Sequence, residues 1–311
     1  MKKYLSSFLL AAIMLAACSK TEEAGLSEGD AIVLRAGMPA AVATPRSRGV
    51  IDSGDKFTAA VAGWESQAAA DYTAEPRWST TADITAAATA QAVTLATEQV
   101  YNANSAVRTY MKAWYPQGTL AAAQVSFAGD AAYRGDGTDD VLLAAEVSGS
   151  KSDRDGKVLA FAHLTTQLQF KVVGERSLEA ATNVTAITLK SVRVPSGIDL
   201  SADKLTGAAA ADLAVPSFTP VEIPIKNEEG EATPAAAGGA VMILPLTGNT
   251  MKVDVTTDKA TYEDVTVTID GDTDFQAGKA YEITLTFKQF GIELSATVAE
   301  WNSGTGSGTV E

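Results

Sequence analysis

Four small or apolar residues ending in a thiol, Leu15-Ala16-Ala17-Cys18, are the first place in this sequence where chemistry is expected. Lys2 and Lys3 followed by an apolar run, too short and too early for an ordinary spanning helix, make the N-terminus a targeting segment. The small residues ahead of Cys18 have the form of a bacterial lipobox. The Cys18 thiol would take a diacylglycerol, and cleavage would leave it as the first mature residue. Cys18 is the single cysteine, so no intramolecular disulfide is expected. The second place is VATPRSRGV, residues 42–50, where Arg46 and Arg48 follow a proline in a stretch without periodicity. This composition reads as an exposed loop, either merely solvated or a place where the chain is cut. Arg48-Gly49 is the preferred bond, because glycine sets no side chain against a protease cleft. Arg46 is second. Arg35 is third, because it ends an apolar run in which strand pairing would shield it.

Other residues that could do chemistry read as structural. His163 is the one histidine and lies inside the strand-like run VLAFAHLTTQLQFKV. No nucleophile elbow accompanies it, so a structural hydrogen bond is expected there. A lone histidine and a lipidated cysteine do not make a zinc site. Asp270 to Asp274 resembles the start of a calcium loop, but Phe275 stands at the sixth position and Tyr281 at the twelfth. A calcium loop needs Gly and Glu there, so a turn is expected. Arg134-Gly135-Asp136 sits in a run with turn chemistry. The expectation is a chain with no catalytic residue, no metal and no cofactor.

The elements that must position these residues are strands. The chain has 311 residues, 46% of them hydrophobic, and a net charge of −14. That excludes wholesale disorder and makes nucleic acid an unsuitable partner, because phosphate binding needs clustered cations. Short β-prone runs recur between turn signals, and long runs at helical spacing are scarce, which predicts an all-β fold built as two sandwiches in tandem. Ala31 to Leu34 reads as a strand buried on both faces. Phe57 to Trp64, Val107 to Tyr115, Gln124 to Ala128, Val141 to Val147 and Val184 to Val194 read as further strands. Residues 65–96 carry little signal. Between Val158 and Val173 the apolar residues change face, so the strand crosses from one packing surface to another or bulges. Tyr281, Ile283, Leu285 and Phe287 share one face of a hairpin whose second arm carries Ile292. The polar run 151–156 marks the expected boundary. The expected organisation is residues 1–18 as lipoprotein signal, 19–29 as tether, 30–155 as the N-terminal sandwich and 156–311 as the C-terminal one.

The LAAC box, the strand followed by R-x-R-G near residue 48, AWYP at 113–116, DDVLLA at 139–144, VLAFAHLTTQLQFKV at 158–172, MILPLT at 242–247, and FQAGKAYEITLTF with SATVAEW near the end together resemble the fimbrillin family. Its members are lipoprotein pilin subunits of type V pili. The stretch 65–99 departs from the pattern. The resemblance implies two transthyretin-like β-sandwiches. It also implies an outer-membrane lipoprotein anchored through Cys18, an arginine-specific protease that removes the anchor together with the first strand, and donor-strand exchange with other pilin subunits in the groove left behind. The family position again favours Arg48. The alternative reading is a surface lipoprotein that binds glycans and never polymerises, for which Trp64, Trp78 and Trp114 are the candidate aromatic platforms.

Overall fold

The computed structural model describes residues 30–38, 50–178, 181–288 and 291–300. Within them the chain is all-β. The first half contributes β1 (Leu34–Gly37), β2 (Lys56–Ser66), β3 (Trp78–Thr85), β4 (Gln91–Val93), β5 (Arg108–Tyr115), β6 (Thr119–Ala121), β7 (Gln124–Ser126), β8 (Leu142–Ala144), β9 (Val147–Gly149) and β10 (Val158–His163). The second contributes β11 (Thr166–Gly174), β12 (Asn183–Val192), β13 (Pro195–Asp199), β14 (Lys204–Gly207), β15 (Ala211–Ala214), β16 (Val221–Glu222), β17 (Ala235–Ala236), β18 (Val241–Ile243), β19 (Thr250–Thr257), β20 (Thr261–Thr268), β21 (Lys279–Lys288) and β22 (Gly291–Glu300).

The first sheet runs β3-β2-β5-β8-β10-β1-β4, with β9 also on β5. It rolls until Leu95, just past β4, bridges Ala82 on β3 at the opposite edge, where the Ala96 amide donates to the Thr81 carbonyl at 2.8 Å. The roll encloses a core that includes Leu34, Phe57, Val61, Ile84, Met111, Leu142, Leu159 and Phe161. Burial of this apolar surface is the dominant favourable contribution to holding the sheet closed. In β2, Phe57, Ala59 and Val61 point into that core, while Ala62 and Trp64 point to the outer face. A separate sheet, β14-β13-β7-β6, covers the outer face. It packs Val125, Ile198 and Leu200 against Trp64, Trp114 and Leu143.

Two further sheets, β17-β11-β21-β22 and β15-β12-β19-β20, enclose a second core. Leu168, Phe170 and Val172 come from β11, and Tyr281, Ile283, Leu285 and Phe287 from β21; Ile187, Leu189, Val253 and Val255 face them. The alternation expected over 281–287 is present, and β21 forms the antiparallel hairpin with β22. The change of face expected between 158 and 173 marks a crossing. Leu159 and Phe161 on β10 enter the first core, and Leu168 to Val172 on β11 enter the second.

Three expectations need correction. The first strand is Leu34–Gly37 rather than 31–34, and it is buried on one face only: Val33 is 67% exposed. The run is apolar at every position, which hid an ordinary alternation. The weakly patterned stretch 65–96 contains β3 and β4, whose Ser, Thr and Ala give little hydrophobic contrast. The run 141–147 divides between β8 and the start of β9, which pair with opposite ends of β5.

Candidate functional site

The segment Asp30 to Met38, DAIVLRAGM, threads through the first sheet. Ile32, Leu34, Ala36 and Met38 all point into the first core and are buried, while Val33 and Arg35 face outward. β1 runs parallel to β10, with Arg35 opposite Val158 and Gly37 opposite Ala160. On its other side it pairs antiparallel with β4, Leu34 opposite Val93 and Ala36 opposite Gln91. Further backbone bonds extend beyond the strand ends. Tyr101 donates to the Asp30 carbonyl at 3.0 Å, Ile32 to Gln99 at 2.8 Å, Arg35 to Lys157 at 2.9 Å and Met38 to Ala87 at 2.7 Å. The Arg35 guanidinium donates to the Ala90 carbonyl at 2.5 Å. Parallel pairing is the less stable kind per residue, and the partner β10 lies far away in sequence, so no hairpin turn holds β1 in place.

The charges of this region gather at the strand's leading end. The Asp30 carboxylate accepts from Lys151 Nζ at 2.8 Å and lies 3.7 Å from Arg154. Behind them, Asp153 accepts from Lys157 at 2.9 Å and Arg108 at 2.7 Å, and these hydrogen bonds, that of Lys157 foremost, hold its carboxyl below its ordinary 3.8. Burial, with the Asp153 charge as a lesser cause, pushes the nearby Tyr101 phenol up to about 12.

From residue 50 onward the chain is held again at once. Val50 and Ile51 are buried in the same core. The Ile51 amide donates to Asp140 Oδ2 at 3.2 Å. Asp140 is a hub: it also accepts from the Val141 amide at 2.8 Å and the Thr165 hydroxyl at 3.2 Å, and meets His163 Nδ1 at 2.8 Å. The Asp140 and His163 side chains are both 0% exposed, so they form a structural pair closed to any substrate. Cys18, Arg46 and Arg48 lie outside the described residues.

The other sequence candidates are absorbed into packing or turns. Trp64 and Trp114 are 3% exposed within the core, and Trp78 lies over Gly63, where a Cβ would come within 2.3 Å of its ring. Trp64 and Trp114 present no platform to solvent, and Trp78 is half-buried against the first core. In the Arg134-Gly135-Asp136 turn, Asp139 accepts the amides of Arg134 and Gly135, and Asp136 accepts from Thr138. The acidic run 270–274 is a turn. Asp272 accepts from Lys279 Nζ at 2.9 Å and from the Tyr281 hydroxyl at 2.9 Å, with the lysine the main cause of its lowered carboxyl pKa. Among the described residues no group of acidic, histidine or cysteine side chains is arranged to hold a metal.

Asp140, the Asp30 ion pairs and Lys112 were not among the sequence candidates. Lys112, buried on β5, donates to the Leu200 carbonyl at 2.5 Å and to the Asp203 carboxylate, and lies 4.4 Å above the Tyr72 ring. A charged residue inside the apolar strand RTYMKAWY was the available signal for it, since a buried charge requires partners. Nothing local marks Asp140, whose partners lie up to 89 residues away.

Residues 43–301 match the model of the family described as fimbrillin-like. No curated protein matches the chain in sequence. Among solved structures the chain is similar to a proposed cell adhesion protein from Bacteroides uniformis, with a TM-score of 0.55 and 17% identity over 88% of this chain and 100% of that one. A second, from Bacteroides ovatus, has a TM-score of 0.54 and 12% identity over 88% and 98%. A third, from Parabacteroides distasonis, has 0.51 and 9% over 88% and 96%. At these identities the likeness is one of fold. The family match spans most of the sequence, including β1's neighbours β4 and β10 and the hairpin β21–β22, and by it this chain belongs to the fimbrillin-like family.

Proposed function

We propose that this protein is a structural subunit of a surface pilus, exported as an outer-membrane lipoprotein through Cys18, cut at Arg48 or Arg46, and polymerised by donor-strand exchange with other pilin subunits. The observation that carries the reading is the arrangement around the arginine loop. The segment Asp30 to Met38, which contains β1, fills the sheet ahead of the loop with four side chains in the core. Asp140 and the buried Val50 and Ile51 hold the chain behind it. A cut between them would separate β1 from the fold and leave the remainder anchored. Removal would expose unpaired backbone groups of β10 and β4 and an apolar groove. A strand from another subunit would cover both by β-augmentation. Refilling the places of Ile32, Leu34 and Met38 is worth about 2 kcal/mol each before ordering costs. Trp64, Trp78 and Trp114 are committed to packing, which leaves the glycan-binding alternative without an observation in its favour.

For the domain organisation we propose two units meeting at Leu164 and Thr165 rather than at the polar run 151–156. β10 pairs with β1 and β8 of the first sheet, and β11 opens the second sandwich. The hairpin β13–β14 reaches back to pair with β7.

The test is to treat the folded precursor with an arginine-specific protease and follow assembly by electron microscopy and mass spectrometry of the new N-terminus. Cleavage after Arg48 and polymer growth are expected, with both lost when Arg46 and Arg48 are changed to alanine. Equal polymerisation by that double variant would overturn the reading.

A further inference from the structure

The groove that holds β1 has two features that apolar packing does not require. At its leading end, Lys151 and Arg154 converge on the carboxylate of Asp30. At its far end, Gly37 passes against the backbone of the 87–90 segment. A Cβ built on Gly37 would stand 3.0 Å from Ala90 Cα, 3.1 Å from Ala90 N and 3.3 Å from the Ala87 carbonyl oxygen. Those neighbours are main-chain atoms, which cannot rotate aside as a side chain could. Gly37 therefore reflects close approach of two backbones.

Register explains why both features matter. The strand period is two, so an aliphatic strand displaced by two residues would still send its apolar side chains into the core. Ile32, Leu34, Ala36 and Met38 alone do not fix where an incoming strand stops. The acid and the glycine do. A two-residue slip toward the far end would bring the residue at the place of Arg35, with its Cβ, against Ala90, and would carry the carboxylate away from Lys151 and Arg154. When β1 leaves, the two cations remain on the body of the protein, at the mouth of the groove.

We infer that the vacated groove is a register lock, which admits a strand of another subunit carrying an acidic residue at the place of Asp30 and a glycine seven positions later at the place of Gly37. Between them the strand carries aliphatic side chains two and four positions after the acid and a small one at six. This rests on the strand-exchange reading and specifies the chemistry of its partner.

The experiment uses the full chain cut in the arginine loop and separated from its N-terminal fragment, with the protease quenched. The probe is a fluorescent peptide of the sequence Asp30–Met38. The parent peptide should bind saturably. A peptide with Gly37→Val should bind about tenfold more weakly, because overpacking against fixed atoms costs about 1.4 kcal/mol or more. A peptide with Asp30→Lys should bind about threefold more weakly at low ionic strength, with the difference shrinking as salt rises. It should recover on a receptor carrying Lys151→Glu and Arg154→Glu. Equal binding by all three peptides, or a loss at Gly37 with no effect of the charge exchange, overturns the lock while leaving the groove standing. Failure of the parent peptide to bind overturns the strand-exchange reading and the lock together.

Discussion

Asp140 links three parts of the chain that sequence keeps apart. It receives the amide that follows the arginine loop, the ring of His163 on β10, and the hydroxyl of Thr165 at the crossing into β11. A buried carboxylate is tolerable because these donors replace water. Removing it takes one partner each from a buried histidine and an amide at the same time. Asp140→Ala is expected to destabilise the protein by about 3 kcal/mol, with Asp140→Asn retaining part of the loss. Urea unfolding of the uncut and cut chains measures this. Neither Ile51 nor His163 leaves with the N-terminal fragment, so the loss should be similar in both forms. A loss confined to the uncut chain would mean that Asp140 acts through β1 instead.

At the scale of the element, the proposed cleavage predicts that β1 contributes to the stability of the uncut chain and not of the cut one. Leu34 is almost fully buried between β10 and β4 in the first core. Leu34→Ala should cost the uncut chain about 3 kcal/mol, the usual range for a buried leucine. The cut chain, separated from its fragment, should be unchanged, because residue 34 has gone. Phe161→Ala, on the strand that stays, should weaken both. Thermal unfolding of the two variants before and after cleavage gives four numbers. Equal destabilisation of cut and uncut chains by Leu34→Ala would show that the strand does not leave. In the same pairing the Arg35 amide and guanidinium are both engaged, with Lys157 and Ala90.

At the scale of the whole molecule, both proposed processing positions, Cys18 and Arg48, precede the described stretch that begins at Val50. In the proposed precursor the tether precedes residue 49, and the described core residues from Val50 onward lie in the remaining sheets. On the proposed function, the removable part would be the acylated Cys18 together with β1. Cys18→Ser should shift the protein from the outer-membrane fraction to the soluble or unprocessed pool, read by fractionation and intact-mass measurement. Retention in the outer membrane at the level of the parent would show that another segment anchors the chain. The net charge of −14 disfavours attraction to anionic lipid as that other anchor.

Local sequence was sufficient wherever strand period and turn chemistry speak for themselves. The alternation of Tyr281, Ile283, Leu285 and Phe287, the change of face between Phe161 and Leu168, and the strand closing before Pro116 were legible because each depends only on neighbours two to four residues apart. The all-β class follows from the same patterns repeated. Pairing partners distant in sequence were not legible, because hydrogen-bonding backbones are alike at every position. That β1 lies parallel to β10, that β13 crosses back to β7, and that β3 forms from WSTTADIT were settled by which apolar faces could be buried together. The contacts that give the candidate site its character are of that second kind. Asp30 meets Lys151 across 121 residues, Arg35 meets Ala90 across 55, and Gly37 is narrow only because the backbone near Ala90 arrives beside it. An acid, an arginine and a glycine carry no mark of such partners in the chain itself, since charge pairing and close approach are properties of distance in space.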